Sequence, residues 1–285
     1  MRLRALAKIN LGLDVVGKRD DGYHEVRMIM QTVNLYDRIE MDRTEDGVIR
    51  TETNLPFVPD GEGNLAWRAA KLLLDEKGIK DGVTIKIRKY IPVAAGMAGG
   101  STDAAAVLVG VNRMFDLGFT KKELMERGVK LGADVPYCIM KGTALSEGIG
   151  EKLTALAPMP DCYILLAKPP IAVSTKMVYE NLHANELEKH PDIDGMMMAL
   201  EEQSLQGITE RMENVLETVT QVRYPVIAEI KACMKECGAM NSLMSGSGPT
   251  VFGIFTEKEK AEKAADAIRS RKLAKQVFVT QPYNV

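Results

Sequence analysis

The feature that most constrains this chain is a glycine-rich loop that runs directly into the start of a helix. The segment Pro92–Thr102 carries three closely spaced glycines, Gly96, Gly99 and Gly100. Glycine has no Cβ to keep a ligand from the backbone, and it reaches positive φ at little cost. The alanine-rich residues 103–108 favour a helix, and Ser101 or Thr102 is expected to cap it. Free amides at a helix N-terminus attract phosphate, so the loop predicts a polyphosphate site, with a nucleotide as its occupant.

The spacing of the loop excludes two common nucleotide motifs. A P-loop requires a lysine after its last glycine, whereas Gly100 is followed by Ser101 and Thr102. The dinucleotide fingerprint G-x-G-x-x-G is absent as well, because two residues separate Gly96 from Gly99. The alternative is an ordinary loop whose glycines only turn the chain.

Size and composition restrict the class of protein further. The 285 residues suffice for two compact lobes or one large domain, and a hydrophobic fraction of 46% is ample for a core. The 37 basic and 39 acidic residues nearly balance, which argues against a partner such as nucleic acid or an anionic membrane. No apolar run is long enough to span a bilayer, and the N-terminus lacks the core of a signal peptide. We expect a cytoplasmic protein.

The cysteines and histidines do not form a recognisable metal or disulfide pattern. Cys138 and Cys162 are isolated in apolar stretches, and Cys233 and Cys237 lie four residues apart without a second pair to complete a zinc set. We expect buried or half-buried free thiols.

The order of elements indicates an α+β protein with two lobes. We place the lobes at residues 1–158 and 159–285, around a proline-rich joint. The predicted strands are residues 3–16, Val26–Val33, Arg38–Arg43, Val48–Thr53, Val83–Lys89, Thr143–Glu147, Tyr163–Ala167, Val251–Phe255 and Gln276–Thr280. The predicted helices run from Asn64 to Gly78, from the loop to Phe115, from Thr120 to Gly132, and over Thr175–Leu182, Ile193–Leu200, Gly207–Leu216, Pro225–Glu236 and Glu257–Lys272.

Two polar residues share a face of the first strand. Its alternation places Lys8 and Asn10 opposite an apolar face. A lysine on a strand is most often a solvated charge, and the functional alternative is a cation at a site. Downstream, the turn Asp20–Glu25 delivers Tyr23 and His24 to a loop, where the two rings could bracket a planar ligand or one could simply be a partly buried turn residue.

Two further segments are candidates for chemistry. Within Gly132–Pro136, Pro136 is expected to hold Val135 out of the α region, so that the chain turns at Asp134. Asp134 is then either a helix cap or a general base, and one residue can do both. Near the C-terminus, Ser245–Thr250 contains two glycines, which fits a close backbone approach to a ligand or a tight turn before a strand.

Taken together, three of these segments resemble the signature motifs of the GHMP kinases. The segments are Lys8–Leu13, Pro92–Asp103 and Met244–Thr250. Asp21–Glu25, Ser101–Asp103, Leu131–Pro136 and Ala144–Gly150 resemble one branch, whose substrate is a cytidine diphosphate sugar alcohol of the non-mevalonate route to isoprenoids. Departures from the branch are mild: Ala94 and Ala95 stand where glycines are common, and Met97 stands where leucine is usual.

The resemblance implies a two-lobed kinase that uses ATP and Mg²⁺, with its active site in the cleft between the lobes. Asp134 is implied as the catalytic base and Lys8 as a catalytic cation beside it, with Asn10 positioning the substrate alcohol. Tyr23, His24 and Tyr179 are implied to clamp the cytosine, and Ser101 or Thr102 to lie near the metal. The implied ATP loop consists of Pro92, Val93, Ala94, Ala95, Gly96, Met97, Ala98, Gly99, Gly100, Ser101 and Thr102. We expect a monomer or homodimer with no nucleic-acid or membrane partner.

Three other interpretations compete with this one. Another small-molecule kinase of the superfamily, such as homoserine or phosphomevalonate kinase, would not explain Asp21–Glu25 or Ser101–Asp103. A GHMP-fold sensor without catalysis would need neither Lys8 nor Asp134. An unrelated nucleotide-binding module would leave the first and last motifs unexplained.

Overall fold

A computed structural model describes residues 1–20, 22–184, 187 and 189–285 of the chain. It confirms the α+β prediction. The strands are β1 (Arg2–Lys18), β2 (His24–Thr44), β3 (Ile49–Thr53), β4 (Gly82–Arg88), β5 (Thr143–Gly148), β6 (Lys152–Ala155), β7 (Tyr163–Lys168), β8 (Asn241–Met244), β9 (Val251–Phe255) and β10 (Gln276–Thr280). The helices are α1 (Leu65–Lys77), α2 (Gly99–Met114), α3 (Lys121–Val129), α4 (Val135–Met140), α5 (Thr175–Glu180), α6 (Ile193–Glu201), α7 (Leu205–Glu210), α8 (Glu217–Arg223), α9 (Val226–Glu236) and α10 (Lys258–Ser270).

The chain forms two compact units, each assembled from separate segments. The first unit comprises Met1–Ala7, Leu35–Val93 and Ala98–Met140, and the second comprises Lys8–Asn34, Ala94–Met97 and Lys141–Val285. The long strands β1 and β2 therefore each contribute to both units. The continuous lobes 1–158 and 159–285 stay a prediction.

The first unit packs helices on a small sheet. β3 pairs in parallel with β4, and β4 pairs in antiparallel with the second part of β2, with Ile39 opposite Ile87. α1 packs against α2. A Cβ on Gly110 of α2 would lie 2.6 Å from Met41 Sδ, so this glycine allows the helix to approach β2 closely.

The second unit contains two groups of strands. The first part of β2 pairs with β5, and β5 pairs with β6, both in antiparallel. A separate antiparallel sheet has the order β10–β7–β9–β8. Helices α9 and α10 pack on this sheet. One of its two inner strands, β9, buries Phe252 and Phe255 completely.

Several predicted boundaries are confirmed and several are wrong. Asn64 caps α1 through the amide of Ala66, Gly78 ends that helix in the left-handed conformation, and Thr120 with Glu123 forms a capping box for α3. The two predicted strands at 26–33 and 38–43 are a single strand, β2, because its first part pairs with β5 and its second with β4. The predicted helix 207–216 is also wrong, since α7 covers only Leu205–Glu210. Strands β6 and β8 and helix α8 were not predicted.

The cysteine prediction is confirmed. Cys138, Cys162 and Cys233 are buried free thiols, and Cys237 is half-buried. Burial raises the pKa of Cys162 to about 12. In the part of the chain that the structure describes, no helix is both long and apolar enough to cross a membrane.

Candidate active site

The polar face of β1 is buried. The side chain of Lys8 donates from Nζ to Oδ1 of Asn10 at 2.7 Å, and Asn10 Nδ2 lies 3.2 Å from the sulfur of Met28. Lys8 is 5% exposed and Asn10 is fully buried. Burial of an ammonium group is costly unless partners compensate it, so the interpretation of Lys8 as a solvated charge is wrong.

β1 also contacts the glycine loop in the second unit. The backbone amide of Lys8 donates to the carbonyl of Met97 at 3.3 Å. The same stretch of loop contacts the last motif, because Ser245 Oγ donates to the carbonyl of Gly96 at 2.9 Å. A Cβ on Gly96 would lie 2.1 Å from the Ser245 carbonyl oxygen, and Gly96 has φ +73°. Glycine is thus required at 96 both by its backbone conformation and by the close approach of Ser245.

Positive φ in the loop is not confined to glycine. Gly99 and Gly100 lie in α2 and do not have positive φ. Besides Gly96, the left-handed residues of the loop are Ala94 (φ 49°) and Ala98 (φ 56°), which are not glycines. A left-handed alanine costs about 1–2 kcal/mol, so surrounding contacts hold the loop in this form.

The start of α2 differs from the prediction. Ala98 occupies the N-cap position and makes no side-chain cap, while Ser101 and Thr102 lie inside the first turn. The prediction that Ser101 or Thr102 caps the helix is therefore wrong. The first turn contains no acidic residue. Because Ala98 has no side chain that can cap them, the backbone amides of this turn can donate hydrogen bonds to an anion.

Asp134 lies directly before α4 in the first unit. Its carbonyl accepts a hydrogen bond from the amide of Cys138 at 3.0 Å, and its side chain is half-buried. The helix begins at Val135, so the prediction that Pro136 keeps Val135 out of the α region is wrong. Proline is tolerated here because the first turn of a helix needs no amide donor from it. A Cβ on Gly132 would lie 4.0 Å from Ser101 Oγ, so the Asp134 segment borders the first turn of α2.

A buried cluster of three charged residues underlies the start of α2, and sequence reasoning missed it. Lys89 Nζ donates to Asp37 Oδ2 at 2.5 Å, to Asp103 Oδ2 at 2.6 Å and to the carbonyl of Gly99 at 3.3 Å. Asp37 Oδ1 accepts from the backbone amides of Tyr90 and Ile91 at 2.5 and 2.8 Å, whereas Asp103 Oδ1 has no hydrogen-bond partner among the described residues. Lys89 and Asp37 lie 52 residues apart, so no local pattern connects them.

Burial and the neighbouring charges shift the pKa values of Asp103 and Lys89 in this cluster. Burial raises the pKa of Asp103 to about 8, against the effect of Lys89, and the nearby Asp37 adds to the rise. Burial lowers the pKa of Lys89, but the carboxylates Asp103 and Asp37 more than offset this, so its pKa is raised. The cluster therefore retains the lysine charge and favours a proton on Asp103.

Asn214 holds the last motif in place and was also missed. Its Nδ2 donates to the carbonyls of Met244 and Gly246 at 2.8 Å each, and its Oδ1 accepts from the amide of Leu216. The peptide bond Gly248–Pro249 is cis. A Cβ on Gly246 would lie 3.5 Å from Asn10 Oδ1, so the turn lies against the polar face of β1. Asn214 belongs to no motif in the sequence that could have identified it.

Two of the three predicted aromatic residues meet. The rings of His24 and Tyr179 lie 5.1 Å apart between centroids, at an interplanar angle of 42°. Burial, together with the charge of Lys18, lowers the pKa of His24. Tyr23 is 60% exposed, and Asp21 of the same motif lies outside the described residues.

The predicted residues are divided between the two units. Lys8, Asn10 and the aromatic residues belong to the second unit, and Asp134 belongs to the first together with Ser101 and Thr102. The pairing of Lys8 with Asp134 stays a prediction.

Comparisons with known proteins agree on one superfamily. Residues 64–142 match the GHMP kinases N terminal domain, and residues 196–275 match the GHMP kinases C terminal domain. Two bacterial proteins named 4-diphosphocytidyl-2-C-methyl-D-erythritol kinase are similar over nearly their whole length. The one from Lachnospira eligens is 53% identical, over 99% of this chain and 98% of the relative. The one from Lachnoclostridium phytofermentans is 54% identical, over 98% of this chain and 96% of the relative.

Solved structures give the same result. A crystal structure of 4-(cytidine 5'-diphospho)-2C-methyl-D-erythritol kinase has a TM-score of 0.85 and 31% identity, with 100% of both chains covered. A homoserine kinase from Cytophaga hutchinsonii has a TM-score of 0.74 at 19% identity, covering 96% of this chain and 94% of that one, which shows a shared fold.

Proposed function

The chain belongs to the 4-diphosphocytidyl-2-C-methyl-D-erythritol kinase branch of the GHMP kinases, and from that premise we propose how its residues carry out the transfer. The enzyme phosphorylates the 2-hydroxyl of 4-diphosphocytidyl-2-C-methyl-D-erythritol, on the non-mevalonate route to isoprenoid precursors. The phosphoryl donor is ATP. Phosphoryl transfer depends mainly on positioning and electrostatics, so the roles below are roles of placement and charge.

The observation that carries the proposal is the buried pair Lys8–Asn10 beside the glycine loop. The backbone amide of Lys8 donates a hydrogen bond to the loop. The ammonium group of Lys8 donates a hydrogen bond to Asn10. A cation held by a strand next to a phosphate loop stabilises the charge of a transferring phosphoryl group. Asn10 positions the acceptor hydroxyl, and its fixed position on β1 reduces the freedom lost on binding.

Asp134 is the residue that accepts the proton of the acceptor hydroxyl. Asp134 lies at the start of α4, two residues after Gly132, and Gly132 lies close to the Ser101 hydroxyl of the loop. This position supports the role of a base. We propose that Lys8 and Asp134 act on the same phosphoryl transfer, with Lys8 stabilising the negative charge that develops on the phosphoryl group. General-base residues of this kind contribute about 10²–10⁴-fold to the rate.

The loop from Pro92 to Thr102 binds the ATP phosphates through its backbone. The first turn of α2 fits that role because it carries no acid and no side-chain cap on Ala98. The hydroxyls of Ser101 or Thr102 are oxygen ligands of the type Mg²⁺ prefers. When bound, Mg²⁺ neutralises charge on the phosphates.

The cytosine is held by Tyr23, His24 and Tyr179. The meeting of the His24 and Tyr179 rings supports this assignment, because tilted rings about 5 Å apart form one wall of an aromatic site. Tyr23 is 60% exposed, and we propose that its ring covers the base from the other side.

The test is release of ADP by the purified protein with ATP, Mg²⁺ and one acceptor at a time. We expect turnover with 4-diphosphocytidyl-2-C-methyl-D-erythritol and none with homoserine, mevalonate or galactose. The variant Asp134→Asn should bind ATP normally and lose about 10²–10⁴-fold in kcat. Turnover with another acceptor would overturn the substrate, and full activity of Asp134→Asn would overturn the role of the base.

A further inference from the structure

Helix α5 is attached to the last motif by a hydroxyl pair. The Oγ1 atom of Thr175 lies 2.8 Å from the Oγ atom of Ser247, within the second unit. Thr175 is the first residue of α5, and Ser247 is a buried member of the turn 245–249. The same turn holds Gly96 through Ser245 Oγ, so it contacts the glycine loop as well as α5.

The other end of α5 carries one of the two contacting rings. Tyr179 follows Thr175 by four residues, so the two side chains lie on the same face of the helix, about 6 Å apart along its axis. The Tyr179 ring is the one that lies 5.1 Å from His24. The face of α5 that meets Ser247 therefore also meets His24.

A helix of this length depends on its contacts. α5 has six residues, and isolated helices shorter than about 12–15 residues are marginal in water. Its other anchors are the cap by Ser174, which accepts from the amide of Met177 at 3.3 Å, and the buried side chain of Val178. Neither anchor fixes the rotation of the face that carries Thr175 and Tyr179 as directly as a hydrogen bond from that face does.

We propose that the Thr175–Ser247 hydrogen bond determines how well the enzyme binds cytosine, by holding α5 so that Tyr179 meets His24. The inference rests on the proposed function, in which these two rings bind the base. Thr175 is then a positioning residue that acts through Tyr179. Because the turn 245–249 also supports Gly96, the base site and the phosphate loop share one support.

The test compares four single variants, Thr175→Val, Thr175→Ser, Tyr179→Ala and Lys176→Ala, and the double variant that combines Thr175→Val with Tyr179→Ala. Valine keeps the shape of threonine and removes the hydroxyl, whereas serine retains it. Lys176 is the exposed neighbour on α5 and serves as the matched control. For each variant, steady-state kinetics gives KM for the cytidine substrate and for ATP, and calorimetry gives Kd for cytidine 5'-diphosphate.

We expect Thr175→Val to raise the KM for the cytidine substrate and the Kd for cytidine diphosphate about three- to tenfold, since one hydrogen bond is lost. The KM for ATP should stay unchanged, Thr175→Ser should restore most of the affinity, and Lys176→Ala should match the wild type. In the Tyr179→Ala background, Thr175→Val should have no further effect, because both changes act on one contact.

Two results would overturn the inference. One is wild-type cytidine affinity in Thr175→Val, and the other is an equal rise of both KM values, which indicates a general loss of structure. If Tyr179→Ala leaves cytidine affinity unchanged, the failure lies in the proposed base site. If Tyr179→Ala weakens it and Thr175→Val does not, the failure lies in the Thr175 link alone.

Discussion

At the scale of single residues, burial decides what the charged side chains can do. Lys89 is enclosed with Asp37 and Asp103, and one ammonium group faces two carboxyl groups. Asp37 accepts hydrogen bonds from two backbone amides in addition to the lysine, whereas Asp103 is the carboxyl group whose pKa burial raises. Asp103 is left as the carboxyl group that holds a proton.

This arrangement predicts a dependence of stability on pH that Asp103→Asn removes. The pKa of Asp103 is raised to about 8 from 3.8, so between these pH values the folded protein binds more protons there than the unfolded chain. The free energy of unfolding therefore decreases as pH rises from about 4 to about 8. Urea unfolding at several pH values should show the wild type losing about 1 kcal/mol or more relative to Asp103→Asn across this range. Replacement of the exposed Asp161 by Asn is the control, and parallel curves for wild type and Asp103→Asn would contradict the prediction.

Lys8 gives a second prediction at this scale. Lys8→Met keeps most of the buried stem and removes the charge beside the glycine loop, so we expect kcat to fall by about 10²-fold or more. Circular dichroism and unfolding curves check that the variant folds. Lys86→Met, at an exposed position on β4, is the control and should retain activity. A kcat within a few-fold of the wild type would remove Lys8 from the catalytic residues.

The residue scale also shows which parts of the site the sequence could reveal. Lys8 and Asn10 could be predicted as site residues because the alternation of β1 places them on one face. Lys89, Asp37 and Asn214 were not, because each acts on residues far away in the chain, and a lone lysine or asparagine has no local signature.

At the scale of elements, the glycine loop supplies a matched pair of substitutions. Gly96→Ala would place a Cβ 2.1 Å from the Ser245 carbonyl at φ +73°, whereas a Cβ on Gly100 meets only Leu65 Cδ1, at 3.5 Å. We expect Gly96→Ala to lower the free energy of unfolding by about 2–4 kcal/mol and to raise the KM for ATP. Gly100→Ala should leave stability within about 1 kcal/mol of the wild type. Equal effects in chemical unfolding would show that Ser245 does not confine the loop.

Element boundaries were predictable where a local signal decides them. The caps at Asn64 and Thr120 and the end of α1 at Gly78 follow from side-chain and glycine preferences, and all three are confirmed. The start of α2 was not predictable from capping preferences, because Ala98 holds a left-handed conformation that tertiary contacts impose. The length of β2 was missed for a related reason: its continuity depends on pairing with two different strands.

At the scale of the whole molecule, the two compact units do not follow the order of the chain. β1 passes from the first unit to the second between Ala7 and Lys8, and the glycine loop returns to the first unit at Ala98. The proposed catalytic residues Lys8 and Asp134 thus come from different units. We expect both residues to contribute to the same phosphoryl transfer.

A double-mutant cycle tests this expectation. Lys8→Met and Asp134→Asn should each reduce kcat strongly, and the double variant should be little worse than the more damaged single variant, because residues that act as a unit are non-additive. The pair Lys8→Met with Lys86→Met is the control and should show additive effects on ln kcat. Additive losses for Lys8 and Asp134 would mean that they stabilise the transition state independently, and the proposed pairing would then be wrong even if both residues are catalytic. Non-additive losses, with ATP affinity retained in each variant, would establish that Lys8 and Asp134 act together as one catalytic group.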